Sequence, residues 1–437
     1  MKGPVAIGEQ GQQTAYNKKI HYAWIILALA FLTLLTIQGI RLSFGAFIEP
    51  WESFFQTNRG LISMVGMVSY IIFGISQPVI GKVVDHVGPR AIFIGSVIFV
   101  GTAMFMTTFA NHPWQLFLLY GIIASIGFGG ASQVTGTVVI SNWFQKKRGL
   151  ALGILSAGTA AGQLLIVPST LNFINWTTWQ TAVLSYGLFL MLIFLPLLVF
   201  FIKNRPSEMG LQPYGYTVKR PAKTIQMPVR APGMFVFFKV LKKKEFWFLM
   251  LPFFVCGVTT SGLIDTHLIP FSKHHGVSNA VISWTIGLLA AFNFAGTITS
   301  GYLSDKWDCR KMLGFLYGLR GLTLVLLLII GGFSDLAVFF HHNPAMLILF
   351  GISFGIVDFS TVAPTIKLAT EYFKNYSIGL VVGGLFLSHQ IGAALGSYLP
   401  GMLYDMMGNY QQSIIYAILI LVAAAVMSFL LPQPENS

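Results

Sequence analysis

The hydrophobic residues of this chain form long runs that are separated by short polar segments. Each run approaches a length of about 20 residues, which an α-helix needs to cross the apolar core of a bilayer. The runs cover residues 22–47, 60–80, 91–110, 114–141, 150–173, 180–202, 246–270, 279–302, 312–333, 344–369, 378–402 and 411–431. The pattern therefore predicts an all-α membrane protein with twelve transmembrane helices.

Positive charges are concentrated on one side of these predicted spans. If the N-terminus lies inside, 22 of the 27 lysine and arginine residues fall in cytoplasmic segments, and only Arg59 and Lys273 lie outside. The remaining three, Arg41, Arg320 and Lys367, lie within spans. Such an excess follows the positive-inside rule, so we expect a protein of the cytoplasmic membrane with both termini in the cytoplasm. The formal charge of +13 then reports orientation and does not indicate binding to nucleic acid.

The composition agrees with a membrane protein and limits the chemistry. Hydrophobic residues make up 55% of the chain and charged residues 9%, whereas soluble domains carry about 25% charged residues. Cys256 and Cys309 show no spacing typical of disulfides or metal sites. The sequence contains no phosphate-binding glycine loop and no nucleophile elbow. We therefore expect no cofactor, no metal, no enzymatic activity and no use of ATP.

The two halves of the sequence repeat the same patterns. Three loop residues recur after 220 positions: Gly81, Asp85 and Arg90 become Gly301, Asp305 and Arg310. Three glycines recur after 230 positions: Gly149, Gly153 and Gly162 become Gly379, Gly383 and Gly392. A duplicated unit with an even number of spans predicts two pseudo-symmetric six-helix bundles, related by an axis along the membrane normal.

This repeat defines the predicted domains. The two bundles are expected at 22–202 and 245–432, and a basic cytoplasmic linker is expected at 203–244. Residues 1–21 and 433–437 are expected to be cytoplasmic tails.

The stretch from Gly81 to Arg90 resembles the signature that follows the second span in transporters of the major facilitator superfamily, and residues 301–310 resemble its counterpart in the second half. The resemblance implies the major facilitator fold and alternating access. It also implies a cytoplasmic gate, whose charges pair across the two halves and separate when the carrier opens inward. The gate residues would be Asp85, Arg90, Asp305 and Arg310. Alternatively, these charges only orient the loops.

Further residues resemble one branch of that superfamily, the monocarboxylate transporters and oxalate/formate antiporters. They are Trp24, residues 39–45 and residues 148–153. Members of the branch often carry a substrate-pairing arginine in the eighth span, where this chain offers only Asn293 as a strongly polar residue. Arg41 or another cation would then have to bind the substrate.

Charged residues inside the spans are candidate functional groups, because each needs a partner or a water-filled cavity. Arg41 of the first span could bind an anionic group, with Asp265 of the seventh span as its resting partner or a protonation site. The alternative is a permanent structural pair. His267 could join a proton relay or could be a solvated residue at the end of the span.

Asp358 lies near the middle of the tenth span and is the best candidate for a proton carrier, because desolvation favours a neutral carboxyl group. Alternatively, Lys367 or a backbone group neutralises it. Arg320 lies in the ninth span, which is peripheral in the family's architecture, so a packing or lipid-headgroup contact is favoured for it.

Uncharged polar residues and one histidine could line a substrate cavity, although such groups also hold helices together. They are Gln38, Tyr120, Gln133, Gln163, Asn293, His389 and Gln390.

Two functions compete on this basis. The first is secondary transport of a small, monocarboxylate-like anion by proton-coupled symport or anion exchange, which Arg41, Asp265 and Asp358 favour. The second is proton-driven efflux of an amphipathic compound, which the 38 Phe, 15 Tyr and 9 Trp residues favour. Either carrier would have protons, the lipid bilayer and a small-molecule substrate as partners, and we expect a monomer.

Overall fold

The computed structural model describes residues 21–216, 240–332, 343–374 and 378–433, and all long elements in these ranges are helical. They follow the predicted spans in order. The helices are α1 Tyr22–Phe55, α2 Arg59–Val87, α3 Pro89–Thr107, α4 Pro113–Trp143, α5 Arg148–Trp176, α6 Trp179–Phe201, α7 Lys244–His274, α8 Asn279–Ser304, α9 Cys309–Ile330, α10 Ala345–Tyr372, α11 Ile378–Met407 and α12 Gln411–Phe429.

Eleven of these helices are long and apolar enough to cross a membrane. The other is α11, which is 30 residues long and carries Ser388, His389 and Gln390 near its middle. The predicted end of the first span, residue 47, is too early, because α1 continues to Phe55. In the sequence, the acidic residues Glu49 and Glu52 indicate the start of a loop. In the folded chain, Glu52 pairs with Arg59 and Glu49 pairs with Lys273, so the helix continues through both residues.

Several helices begin where a polar side chain accepts a hydrogen bond from the first turn. Asn58 accepts from the Leu61 N–H at 2.9 Å at the start of α2, and Thr178 accepts from the Thr181 N–H at 3.2 Å at the start of α6. Asp308 does the same for α9. These caps satisfy N–H groups that have no partner within the helix.

Five of the described helices depart from regular α-geometry inside the membrane, one of them being α6 with a π-helix at Phe189–Phe194. A turn at Ser43 divides α1, Ala131 ends the first part of α4, and Asp358 ends the first part of α10. In α7 the segment Val258–Ile264 is a π-helix. Such irregularities free backbone groups for other partners and often mark functional sites. The candidate residues Arg41, Gln133, Asp265 and Asp358 all lie within two residues of one.

The two halves repeat the same close helix packing. A Cβ atom added to Gly162 of α5 would lie 2.3 Å from the carbonyl oxygen of Leu35 in α1. One added to Gly392 of α11 would lie 2.2 Å from the carbonyl oxygen of Phe254 in α7. The two glycines are a repeat-related pair, and only glycine permits these backbones to approach so closely.

The two six-helix bundles meet along α2 and α11 and along α5 and α8. We call the face with the helix ends at Tyr22, Phe201 and Lys244 the linker face, and the other the opposite face. Among the described residues, the hydrogen bonds and ion pairs that join the bundles lie in the middle of the membrane or toward the opposite face. They link Tyr70 to Ser261, Gln163 to Asp265, Asn172 to Ser283, Arg59 and Gly60 to Asp405, Arg59 to Tyr410 and Glu49 to Lys273.

Candidate functional site

Arg41 lies half-buried at the end of the first part of α1, two residues before the turn at Ser43. Its Nε donates to Oε1 of Gln38 at 2.9 Å. Gln38 is itself fixed, because its Nε2 donates to the carbonyl oxygens of Phe128 at 2.9 Å and Ala131 at 2.6 Å. The interruption of α4 therefore supplies the acceptors that orient Gln38, and Gln38 orients Arg41.

Aromatic rings of α2 cover one side of the Arg41 guanidinium. Its Cζ lies 4.4 Å from the ring centroid of Phe73 and 5.5 Å from that of Tyr70, distances at which a cation is attracted to a ring face. Tyr70 also donates its hydroxyl to the carbonyl oxygen of Ser261 in α7 at 2.7 Å. Tyr70 thus connects Arg41 with the second bundle. We did not predict Tyr70 or Phe73, although their spacing of three residues on one helix face was a usable signal.

Tyr120 is buried and donates its hydroxyl to the carbonyl oxygen of Arg41 at 3.0 Å. Since the helix is interrupted after Arg41, this oxygen needs a partner from outside. Tyr120 therefore stabilises the end of the helix segment, and its hydroxyl is engaged in this conformation.

Asp265 lies at the junction of the bundles, where Nε2 of Gln163 in α5 donates to its Oδ1 at 3.0 Å. A small cavity beside it is lined by both bundles, including Leu42, Gln163 and Leu289. The charge of Arg41 acts on Asp265. Among the described residues, however, no ion pair within 4.0 Å joins the two. In this conformation Arg41 and Asp265 therefore form neither the permanent structural pair nor the resting ion pair that we considered.

His267 is buried and does not lie in solvent, so the alternative of a solvated histidine is wrong. Its Nε2 lies 2.7 Å from the carbonyl oxygen of Ser397 in α11, and its Nδ1 lies 3.1 Å from the hydroxyl of Tyr410. Because a carbonyl oxygen only accepts, we assign the proton to Nε2. The imidazole connects α7 with α11 and with the residue before α12.

Toward the opposite face, the residues Glu49, Glu52, Arg59, Lys273, Asp405 and Tyr410 form a cluster that we call the latch. Asp405 of the second bundle accepts from the backbone N–H groups of Arg59 at 3.0 Å and Gly60 at 2.5 Å, at the start of α2 in the first bundle. The Arg59 guanidinium donates to Glu52 at 2.6 Å and to Tyr410 at 3.1 Å. The Lys273 ammonium lies 3.5 Å from Glu49. Carboxylates at a helix N-terminus are stabilised by the unpaired N–H groups, so these contacts hold the bundles together here.

Asp358 lies inside the second bundle and is 1% exposed. Its Oδ2 accepts from Nδ2 of Asn293 in α8 at 2.8 Å, and its Oδ1 has no hydrogen-bond partner among the described residues. Lys367 does not neutralise it, contrary to one of our alternatives. The Lys367 ammonium instead donates to the carbonyl oxygen of Ser304 at 2.5 Å.

Arg320 is fully buried, so of the packing or lipid-headgroup contact that we favoured, the lipid-headgroup contact is excluded and packing is retained. Its Nη2 donates to the carbonyl oxygens of Val357, at 2.7 Å, and of Asp358. Because α9 was treated as peripheral, we did not predict this contact with the α10 backbone. The available signal was the high cost of burying an arginine in a membrane span.

The proposed gate residues contact groups of their own bundle in this conformation. Arg90 donates from its backbone to Asn204 at 2.9 Å and from Nη2 to the carbonyl oxygen of Val199 at 2.8 Å. Arg310 donates to Asp308 at 2.6 Å, and this bond holds the pKa of the Asp308 carboxyl below its usual value. Asp305 is exposed.

The remaining gate residue, Asp85, lies in α2, and its side chain is outside the described part of the chain.

The other predicted cavity residues occupy different environments. Gln133 is exposed after the interruption of α4. His389 is 3% exposed, and neither ring nitrogen has a hydrogen-bond partner among the described residues. Gln390 faces α2, where its Cβ would lie 2.9 Å from a Cβ added to Gly74.

The geometry so far describes two six-helix bundles with polar sites at helix interruptions. The sequence model of the Major Facilitator Superfamily matches residues 26–365 and 267–437. The chain belongs to this superfamily. The expected fold and the resemblance to its transporters are thereby confirmed, and the chain is a multi-pass membrane transporter of a small-molecule substrate.

Relatives of this superfamily member include transporters of the branch that its sequence resembles. It is 29% identical to the uncharacterized MFS-type transporter YcxA of Bacillus subtilis over 389 residues, covering 89% of this chain and 90% of YcxA. It is 24% identical to the oxalate:formate antiporter of Oxalobacter formigenes, covering 94% and 92%. Its identity to monocarboxylate transporter 12 of Xenopus laevis is 21%, covering 89% and 84%.

Among solved structures, the superfamily fold is shared with a bacterial homolog of the human lysosomal transporter Spinster in an inward-facing and unoccupied conformation. The TM-score is 0.75 at 18% identity, covering 94% of this chain and 97% of the other.

Proposed function

We propose that this transporter carries small organic anions with a carboxylate group and that Arg41 binds the carboxylate. The observation that carries this proposal is the free end of Arg41. Gln38 holds Nε, while Nη1 and Nη2 make no hydrogen bond or ion pair with any described residue. A planar guanidinium with free nitrogens matches a carboxylate in bidentate geometry. A cation inside a membrane without a counter-ion is costly, so an anion is the expected ligand.

The surroundings of Arg41 limit the direction of approach. The Phe73 ring lies against the guanidinium, and a bidentate carboxylate would approach in the guanidinium plane, toward Nη1 and Nη2. The names of two relatives, the oxalate:formate antiporter and monocarboxylate transporter 12, support the carboxylate class. We further propose that the transporter works as a monomer.

Transport would proceed by alternating access. The latch holds the opposite face closed, and the excess of basic residues supports a cytoplasmic location for the linker face. Arg41 would then receive its anion from the cytoplasm in this conformation. When the carrier reverses, Asp85, Arg90, Asp305 and Arg310 would form the cross-bundle gate, and Arg310 would exchange Asp308 for a partner in the first bundle.

A proton gradient would supply the energy through Asp358. The carboxyl group is buried, and one of its oxygens is unpartnered, so only a small species such as a proton can reach it. Asp265 lies at the junction near the charge of Arg41 and would sense the bound anion. His267, through Tyr410, would connect it with the latch.

The proposal is tested by counterflow in proteoliposomes with labelled mono- and dicarboxylates. We expect wild-type exchange, and a loss of about tenfold or more in the Arg41→Gln variant, because a charge-assisted pair is removed. Lys242→Gln, which removes an exposed charge, is the matched control and should exchange normally. Unchanged exchange in Arg41→Gln would contradict the site. Exchange of amphipathic compounds but of no carboxylate would support efflux instead.

A further inference from the structure

The helix interruption at Asp358 is held from two sides. Asn293 of α8 binds the Asp358 carboxylate, and its Oδ1 accepts from the Phe359 N–H at 3.4 Å. From α9, Arg320 donates to the carbonyl oxygens of Val357 and Asp358. Carbonyl groups at a helix end have no partner within the helix, and Arg320 supplies one. The two side chains fix both the backbone and the carboxyl group of Asp358.

Arg320 has more donors than the backbone uses. It is 0% exposed, and its Nε and Nη1 make no hydrogen bond among the described residues. Oδ1 of Asp358 is likewise buried and unpartnered. A buried cation and a nearby buried carboxyl group with unused hydrogen-bonding capacity are costly apart and stabilise one another when the carboxyl group is ionised.

Among the described groups near Asp358, Arg320 is the cation that can pair with the carboxylate. The thiol of Cys256 lies 3.4 Å from the Thr361 hydroxyl and close to the charge of Arg320. The charge of Asp265 acts on Asp358 from α7. From α9 and α11, Tyr317 and His389 add polar atoms without described partners. Lys367 is bound elsewhere.

We propose that Arg320 is the positioning residue of Asp358: it fixes the interrupted turn of α10 and provides the counter-charge when the Asp358 carboxyl group loses its proton. The proposal rests on the function proposed above, in which Asp358 carries the coupled proton. Arg320 touches neither substrate nor proton. It lowers the energetic cost of the ionised carboxylate inside the bundle, so that the proton can dissociate.

The first test is transport by the variants Arg320→Met, which keeps the length without the charge, and Arg320→Lys, which keeps the charge. Arg320→Met should lose about tenfold or more of proton-driven uptake, because the ionised carboxylate loses its counter-charge. The KM of anion counterflow should stay within about twofold, since Arg41 is intact. Arg320→Lys should recover part of the uptake. Wild-type uptake in Arg320→Met would overturn the proposal.

The second test is a thermal-unfolding cycle that does not depend on transport. Arg320→Met leaves the Asp358 carboxyl without a counter-charge whenever it is ionised, and Asp358→Asn leaves the buried Arg320 charge without one, whereas the double variant has neither group. The double variant should therefore be more stable than the sum of the single effects predicts. Additive effects would overturn the pairing even if transport proves not to be proton-driven. If Arg320→Met does not accumulate in the membrane, accumulation of the double variant supports the pairing, and its failure overturns it.

Discussion

Arg41 and Asp358 both lie next to helix interruptions, but they differ in what can reach them. Arg41 is half-buried near the junction of the bundles, and its guanidinium has free nitrogens. Asp358 is 1% exposed inside one bundle, between Asn293 and Arg320. In the proposed function, the first site exchanges an anion of several atoms and the second exchanges only a proton. Substrate binding and energy coupling would then lie at separate places.

The largest effect is expected at the buried site. In Asp358→Asn the amide cannot be protonated in this pH range, so proton-driven accumulation should fall by about a hundredfold, while counterflow stays within about twofold. Uptake driven by an imposed pH gradient, compared with exchange at equal pH, measures both quantities. Glu371→Gln makes the same change, from carboxylate to amide, at the linker-face end of the same helix and is the control. Equal loss of uptake and exchange would indicate that substrate binding and proton coupling depend on the same site.

At the junction, Gln38→Glu should raise the KM for the anion by about tenfold, because it places a carboxylate beside Arg41 that competes with the substrate. Gln38→Leu is the matched variant without the charge and should raise KM less, by about threefold through loss of orientation. The KM values of the two variants, measured by counterflow, separate the effect of the added charge from the loss of orientation. A lower KM in Gln38→Glu would show that Arg41 is not the anion site.

The smallest effect is expected at the latch. Asp405→Asn removes the carboxylate from the start of α2 and should favour opening of the opposite face by about 1 kcal/mol, or about fivefold. Labelling of an introduced Ser397→Cys by a membrane-impermeant thiol reagent measures this opening. Glu371→Gln, which removes a carboxylate at the linker face, should leave the labelling rate unchanged. A slower rate in Asp405→Asn would argue against a closing role.

The order of the helices could be predicted because the apolar runs of this chain match the bilayer thickness. The end of α1 could not, because Glu49 and Glu52 acquire partners only after distant residues fold against them. The interruption at Asp358 has a local signal in Pro364, which cannot donate to the carbonyl oxygen of Ser360, but this signal does not fix the residue at which the helix breaks.

The charged candidates inside the spans were found by one rule: a charge inside a membrane span is costly and indicates a partner or a function. The rule identified Arg41, Asp265 and Asp358, and we did not apply it to Arg320 because we took α9 to be peripheral. It could not have found Tyr70 or Phe73, which carry no charge and contact Arg41 only through the packing of α2 on α1.

The central claim is that Arg41 binds a carboxylate, and equilibrium binding of mono- and dicarboxylates to the purified protein tests it most directly. We expect at least one of them to bind and to raise the melting temperature of the wild-type protein. In Arg41→Gln, affinity should fall by about tenfold or more while the fold is retained. Binding of the same anion with unchanged affinity to Arg41→Gln would contradict the account.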